Sequence, residues 1–240
     1  MAGVLLIGAG GLGCGTALGL AAAGVTRMGV VDDDVVDESN LHRQVLHRPE
    51  RIGQAKTESL RAELQRGFPA LEVVMHPQRF SADNAAGLLA DYDVLVDGSD
   101  NLATKFLAND AAVLAGKPLV HAAAVGTLGQ LVSVAAGGRP CYRCLFEELP
   151  PPEADALSCA EAGVLGPVPG VLGALQAAEA VRFLSGAAPG FAGRLLQYDS
   201  ADFSVRVVNF RRNRACRVCG DHASITRLDG AEYQAEVCAP

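Results

Sequence analysis

The sequence has no apolar run as long as a membrane span. Every hydrophobic stretch of its 240 residues is broken by a glycine, a polar residue or a charge. It has no basic segment ahead of its first apolar stretch, so residues 1–13 read as a core strand running into a glycine motif and not as a signal peptide. It has no excess of positive charge. The formal net charge is −7, which argues against a broad phosphate-backbone footprint and so against nucleic acid as a partner. Arg211, Arg212 and Arg214 form a local basic cluster, which reads as a solvated strand end. Internal repeats and low-complexity segments are also missing. With neither a span nor a targeting segment, the expected location is the cytoplasm. Thiols stay reduced there, so the seven cysteines are not a disulfide framework and their spacing has to explain them.

Apolar residues make up 50% of the chain, enough to bury a substantial core in one large domain. Short apolar runs at 4–7, 28–31, 72–75, 94–96 and 118–123 read as strands. Helical stretches at 11–23, 52–66, 82–90 and 101–115 alternate with them. Ser81 is placed to cap the third of these helices. The alternation predicts an α/β fold with a doubly wound, mostly parallel sheet. After Gly126 the pattern changes. A strand is expected at 129–135, a loop rich in Pro, Glu and Ala at 147–156, an apolar helix at 171–184, and an antiparallel hairpin over 195–198 and 203–210. The loop at 147–156 is the stretch expected to be mobile.

Gly8-Ala9-Gly10-Gly11-Leu12-Gly13 satisfies G-x-G-x-x-G between a predicted strand and a predicted helix. Gly8 permits the tight turn, Gly10 lets phosphate approach the backbone, and Gly13 lets helix and strand pack closely. Asp32 ends the second strand about twenty residues on, where an acid bonds the ribose hydroxyls. This segment predicts a nucleotide, and taken alone it reads NAD as easily as ATP.

The chain beyond Asp32 departs from an ordinary dinucleotide fold. Residues 37–44 are dense in hydrogen-bonding groups, and Gly53-Gln54-Ala55-Lys56 opens a helix. Arg43 offers a forked cation and Lys56 a point charge, both suited to phosphate oxygens. Two cations beside a phosphate turn suit a triphosphate whose charge is neutralised for attack at the α-phosphorus. Asp97 and Asp100 stand at the carboxyl end of the fourth strand, where a carboxylate can hold Mg²⁺. The competing role there is helix capping by Ser99 or Asp100.

Cys141-Tyr-Arg-Cys144 and Cys216-Arg-Val-Cys219 are two Cys-x-x-Cys pairs, the donor set of a closed structural zinc site. Their wide separation means that the site would tie distant segments together. A redox pair is the competing reading. Cys159 has no paired cysteine and follows the 147–156 loop, so it reads either as an accessible nucleophile or as a small buried apolar residue. Cys14 is expected in the core of the first helix. Cys238, near the end, reads as adventitious or redox-active.

Gly-Ala-Gly-Gly-Leu-Gly, Ser-Asn-Leu-His-Arg-Gln, Gly-Gln-Ala-Lys, Asp-Gly-Ser-Asp-Asn and the two cysteine pairs occur in the order of the MoeB/ThiF/HesA family, bacterial relatives of ubiquitin-activating enzymes. The resemblance runs from about Val4 to Gly220; each motif alone is weak and the ordered set is specific. It implies a Rossmann-like fold, with C-terminal antiparallel strands and a structural zinc site. The implied reaction is ATP-dependent adenylation of the C-terminal carboxylate of a ubiquitin-like sulfur carrier ending in Gly-Gly. The products serve sulfur transfer in molybdopterin, thiamin or tRNA-thiolation pathways. By motif, Gly11 lies in the phosphate turn and Asp32 holds the ribose. Asn40, Arg43 and Lys56 face the phosphates, with Gln44 beside them. Asp100 holds Mg²⁺ with Asn101 beside it, and Cys141, Cys144, Cys216 and Cys219 hold Zn²⁺. Cys159 matches a position where some relatives carry a sulfur-linking or thioester cysteine. A homodimer is implied as well.

The expected organisation is one adenylation domain over 1–240, with a nucleotide half at 1–125, a carrier and zinc half at 126–220, and a tail at 221–240. Two departures stand out. Relatives usually carry a segment before the first strand, whose Arg reaches the partner subunit's ATP, and no C-terminal rhodanese-like domain is expected here. The alternatives are an NAD-dependent oxidoreductase, supported by the glycine turn alone, and a non-catalytic carrier-binding module lacking that Arg.

Overall fold

Val4, Leu5, Leu6 and Ile7 are all buried, as an uninterrupted apolar strand must be when both faces of its sheet are covered. Val4 and Leu6 point into one core and Leu5 and Ile7 into another, so this strand divides the molecule into two apolar layers. The structure, a computed structural model, describes residues 2–150 and 163–233. Its strands are β1 (Gly3–Ile7), β2 (Arg27–Val31), β3 (Glu72–His76), β4 (Val94–Asp97), β5 (Leu119–Val125), β6 (Leu128–Val134), β7 (Arg194–Asp199) and β8 (Ser204–Asn209). They form one 8-stranded sheet in the order β3-β2-β1-β4-β5-β6-β7-β8. The first five are parallel and the last three antiparallel. The expected mixed, doubly wound sheet is therefore observed.

The helices are α1 (Gly11–Ala22), α2 (Lys56–Gly67), α3 (Ala82–Ala90), α4 (Leu102–Ala115) and α5 (Pro167–Leu184). α1 and α5 pack together on one face. Gly173 permits this close approach, because a Cβ there would stand 2.7 Å from the Leu12 carbonyl oxygen and from the Thr16 nitrogen. α3 and α4 cover the other face, where Phe106, Tyr142 and the cysteine segments join the second core.

Two helices begin elsewhere than expected. The helix expected from residue 52 starts at Lys56, because Pro49–Arg51 forms a separate 3-10 turn and Gly53 takes φ +83. The helix expected from residue 171 starts at Pro167; prolines in a first turn lose no intrahelical bond. The cap of α3 is reciprocal, with Asn84 Oδ1 accepting from the Ser81 N–H at 2.9 Å. Beyond residue 220, Ile225 and Tyr233 are buried, and the Tyr233 hydroxyl donates to Asp110 Oδ2 at 2.9 Å.

Strand order reverses between β1 and β4, which diverge toward β2 and β5. A crevice opens there at the carboxyl ends of the strands, where doubly wound sheets bind ligands.

Candidate active site

The glycine turn sits in this crevice. Gly8 has φ +88, a conformation that L side chains rarely adopt, and its N–H donates to the Val31 carbonyl at 2.8 Å. A Cβ on Gly13 would overlap the Gly8 carbonyl oxygen, so the helix can follow the turn this closely only with glycine there. Gly10 is the N-cap of α1, and the first N–H groups of the helix have no intrahelical acceptor. The roles expected of Gly8 in the turn and of Gly13 in close packing thus have geometric counterparts.

Asp32 ends β2 and is tied into the turn. Its Oδ2 accepts from the Ala9 N–H at 2.6 Å and its Oδ1 from the Asp34 N–H at 2.8 Å. Burial raises its pKa, and the two backbone bonds oppose that rise.

The segment after β2 turns back over the crevice through two 3-10 turns, Glu38–Asn40 and Pro49–Arg51. Asp37 starts the first, its Oδ1 accepting from the Ser39 N–H at 2.8 Å. Asn40 Oδ1 then accepts from Arg43 Nη2, which orients the guanidinium. The Lys56 Nζ donates to Asp34 Oδ2 at 2.7 Å, so the lysine expected to face phosphate has a carboxylate partner here. Lys56 is buried and Asp34 exposed.

Asp97 and Asp100 have different environments. Asp97 is fully buried; Lys105 Nζ at 3.0 Å, His121 Nδ1 at 2.8 Å and the Ser99 N–H at 2.9 Å all reach its carboxylate. Burial opposes its ionisation, but Lys105 and these hydrogen bonds prevail and hold its pKa well below the usual carboxylate range. Its three partners hold it as a buried anchor. Asp100 is exposed at the mouth. Neither Ser99 nor Asp100 caps α4: Asn101 does, accepting from the Thr104 N–H at 2.8 Å. Capping thus does not occupy Asp100.

A cavity of about 320 Å³ joins these groups. Its lining includes Gly8, Gly10, Gly11, Asp32, Arg43 and Gln44, with Lys56, Ser99, Asp100 and Asn101 completing the wall. Asn40 bounds it only through Arg43. Gln44 Oε1 and Ser99 Oγ are buried in the wall without a hydrogen-bond partner, as polar atoms awaiting a polar ligand would be. Sequence reasoning missed three groups of this site. Ser99, which the sequence offers only as a cap, lines the cavity, as does Arg79 from beyond β3, and His47 lies behind the glycine turn. The spacing of His47 from the Asn40–Gln44 motif carries no signal; only the fold brings it to Ala9.

The four cysteines of the two pairs converge, with all four sulfurs within 4.8 Å of one another. Cys141 and Cys216 stand 3.6 Å apart, and Cys144 and Cys219 3.4 Å. Zinc–sulfur bonds of about 2.3 Å place tetrahedral sulfurs about 3.8 Å apart, so the group matches a zinc ion in both donor type and spacing. Hydrogen bonds from Cys144 and the other two thiols push the Cys141 thiol far up, since four thiols cannot all ionise together without a cation. The cluster is bolted to α4: Arg143, between Cys141 and Cys144, makes a buried bidentate pair with Asp110, with Nη2 at 2.8 Å from Oδ2. Arg212 and Arg214, expected as a solvated strand end, both pair with Asp221 beside the second cysteine pair. Cys14 is buried as expected, and burial pushes its thiol up to about 12. Cys159 and Cys238, and most of the 147–156 loop, lie outside the described residues.

A doubly wound sheet with a glycine turn, an acid after β2 and a polar cavity at the strand-order reversal defines a nucleotide-binding α/β protein. Residues 1–218 match the ThiF family. The chain belongs to this family, as the ordered motifs implied. It is 48% identical over 232 residues to "Adenylyltransferase and sulfurtransferase MOCS3" of Bos taurus, covering 96% of this chain and 51% of that one. It is 46% identical over 239 residues to "Sulfur carrier protein adenylyltransferase" of Thermus thermophilus, covering 98% and 87%. The chain thus spans about half the length of the MOCS3 relatives. Among solved structures it resembles E. coli MccB with ATP, with TM-score 0.75, 25% identity, and coverage of 91% of this chain and 67% of that one. Among the described residues no helix is long and apolar enough to cross a membrane.

Proposed function

We propose that this chain uses ATP to adenylate the C-terminal glycine carboxylate of a ubiquitin-like sulfur carrier. The observation that carries the reading is one cavity lined by the glycine turn, Asp32, Arg43, Lys56 and Asp100, with two orphaned polar atoms in its wall. The names of the MOCS3 and Thermus relatives support the same chemistry. The carrier carboxylate oxygen bonds to the α-phosphorus. The bond from that phosphorus to the bridging oxygen breaks, and its electron pair leaves with pyrophosphate. Carrier acyl-adenylate and pyrophosphate result, with no proton transfer required.

Each residue then has a task. Backbone N–H groups of the turn face the phosphates, and Asp32 holds the ribose. Arg43, oriented by Asn40, and Lys56 neutralise charge on the phosphates as it develops. Gln44 and Asn101 complete the polar wall. Asp100 would hold Mg²⁺, an ion that keeps most of its waters and needs only one or two carboxylates, and the ion would supply charge neutralisation on the leaving pyrophosphate. Cys141, Cys144, Cys216 and Cys219 would hold a structural zinc. Hydride transfer to NAD gives Arg43, Lys56 and Asp100 no task.

The unit is one adenylation domain, with nucleotide binding in 1–125 and carrier and zinc binding in 126–220; residues 221–240 follow. It acts as a homodimer in the cytoplasm, and mass measurement in solution tests the dimer. The reaction is tested by ATP–pyrophosphate exchange with a carrier ending in Gly-Gly. Exchange that depends on the carrier is expected, and its absence with every cognate carrier overturns the reading. Cys159→Ala retains exchange, because adenylation does not require a sulfur nucleophile.

A further inference from the structure

His47 is a buried side chain at the nucleotide site to which the reaction assigns no role. It is 6% exposed. Its Nε2 lies 2.8 Å from the Ala9 carbonyl oxygen and its Nδ1 2.9 Å from Ser59 Oγ. A carbonyl oxygen only accepts, so Nε2 carries a proton and donates it to Ala9. In the neutral ring Nδ1 is then an acceptor, and the Ser59 hydroxyl donates to it. Burial holds the His47 pKa below its ordinary value, with nearby Lys56 and Arg51 acting in the same direction, which keeps this tautomer neutral.

The residue that His47 grips is in the glycine turn. The Ala9 N–H is already held by Asp32 at 2.6 Å. The Ala9 carbonyl belongs to the same planar trans peptide as the Gly10 N–H, and in such a peptide the two point in opposite directions. Holding the carbonyl toward His47 therefore turns the Gly10 N–H away from it. Gly10 lines the cavity. The bonds close a ring: Ala9 to Asp32, Asp32 to Asp34, Asp34 to Lys56, along the first turn of α2 to Ser59, and through His47 back to Ala9. The helix that carries Lys56 also carries the hydroxyl that bonds the other ring nitrogen of His47.

We propose that His47 is a positioning residue for the phosphates of the nucleotide, fixing the Ala9–Gly10 peptide so that the Gly10 N–H faces the ligand. The inference rests on the ATP reading above and adds a residue outside the cavity wall to its machinery. It also sets an order of effects. A group that aims only the phosphate-binding N–H matters for ATP and not for adenosine, which fills the base and ribose site without reaching the turn.

The test measures affinity for ATP and for adenosine in the full chain and in His47→Leu, His47→Gln and Ser59→Ala, together with KM and kcat of carrier-dependent exchange. His47→Leu leaves Ser59 Oγ without its partner and the Ala9 carbonyl with only the Cys14 thiol at 3.5 Å, and is expected to weaken ATP binding roughly tenfold, with adenosine affinity unchanged. The KM for ATP rises with it. His47→Gln keeps a donor for Ala9 and recovers ATP affinity to within roughly threefold of the parent. Ser59→Ala, which removes only the bond that holds Nδ1, falls between. Equal losses for ATP and adenosine, or no rescue by Gln, overturn the proposal in favour of a purely structural histidine. Should His47→Leu fail to fold, the Gln and Ser59→Ala variants carry the same comparison. A proton on Nδ1 instead of Nε2, read from the ring ¹⁵N shifts, overturns it as well. A parent chain that binds no ATP defeats the functional reading itself, and is distinguished from a parent that binds ATP and a His47→Leu variant that binds it equally well.

Discussion

The Lys56 ammonium lies 2.7 Å from the Asp34 carboxylate at the edge of the cavity, with the lysine side chain 7% exposed and the aspartate side chain 68% exposed. The pair is lopsided. Asp34 can be solvated when it is released, whereas Lys56 cannot reach bulk water and needs an anion. A triphosphate entering the cavity offers one of higher charge.

On the proposed ATP reading, Lys56 exchanges Asp34 for phosphate, and the two members of the pair differ in what they do. Lys56→Met is expected to lower carrier-dependent ATP–pyrophosphate exchange by roughly a hundredfold or more, the loss typical of one preorganised charge-stabilising group. Asp34→Asn frees the lysine and should leave kcat within a fewfold of the parent. Steady-state exchange on both variants checks this, and a larger loss in Asp34→Asn than in Lys56→Met would reverse the assignment.

Asp100 is exposed and has no capping duty, while Asp97 is locked between Lys105 and His121. Asp100→Ala should abolish exchange and leave melting temperature and zinc content unchanged. Near-normal exchange in this variant would remove Asp100 as the magnesium ligand.

Lys105 is a structural partner by the same geometry. Lys105→Met leaves Asp97 buried with only His121 and backbone support, and should destabilise the fold by about 3 kcal/mol, the usual cost of breaking a buried pair from one side. Urea denaturation measures it, and a change below about 1 kcal/mol would contradict the burial argument.

The cysteine cluster predicts about one zinc per chain by elemental analysis. Cys216→Ser should lower zinc content sharply and reduce the melting temperature. Arg143→Met should loosen the metal without removing a ligand, since Arg143 fixes the first cysteine pair to Asp110 on α4. A stable, metal-free parent protein would rule the site out.

Acidification should destabilise the fold in two stages. His47 and His121 both have pKa values lowered chiefly by burial. Between their folded values and about 6.5, the unfolded chain binds protons that the folded chain refuses, so stability falls as pH drops below about 6.5. Asp97 has a depressed folded pKa, so its contribution is present above about pH 4 and is lost as the pH falls further. Thermal melts across this range should show a first decline near pH 6 that is reduced in His47→Gln.

Much of the fold was legible because its signals are local. The apolar runs, the breaking glycines and the G-x-G-x-x-G turn each report on a few adjacent residues, and β1 through β5 fall where the sequence puts them to within a residue or two. The four cysteines were legible too, since a four-thiol cluster of metal-binding type depends on residue type and pair spacing whatever path the chain takes between the pairs. The helix starts at Pro167 and Lys56 were blurred where proline and glycine interrupt the periodicity. Position along the strand leaves Asp97 and Asp100, three residues apart, as equal candidates, and only the family resemblance singles out Asp100.

The sequence by itself determined the family, the phosphate turn, the acid at Asp32 and the metal-type cysteine set, because each depends on residue type at short spacing. Only the tertiary structure decided which carboxylate is free, what Lys56 is bonded to, and that His47 grips Ala9. Those outcomes depend on burial and on contacts between distant segments. Closing the strand order around β1 and β4 buries Lys105, His121 and Asp97 together and leaves Asp100 exposed on the wall of the cavity beside the glycine turn, a distinction in solvation that no spacing along the chain encodes.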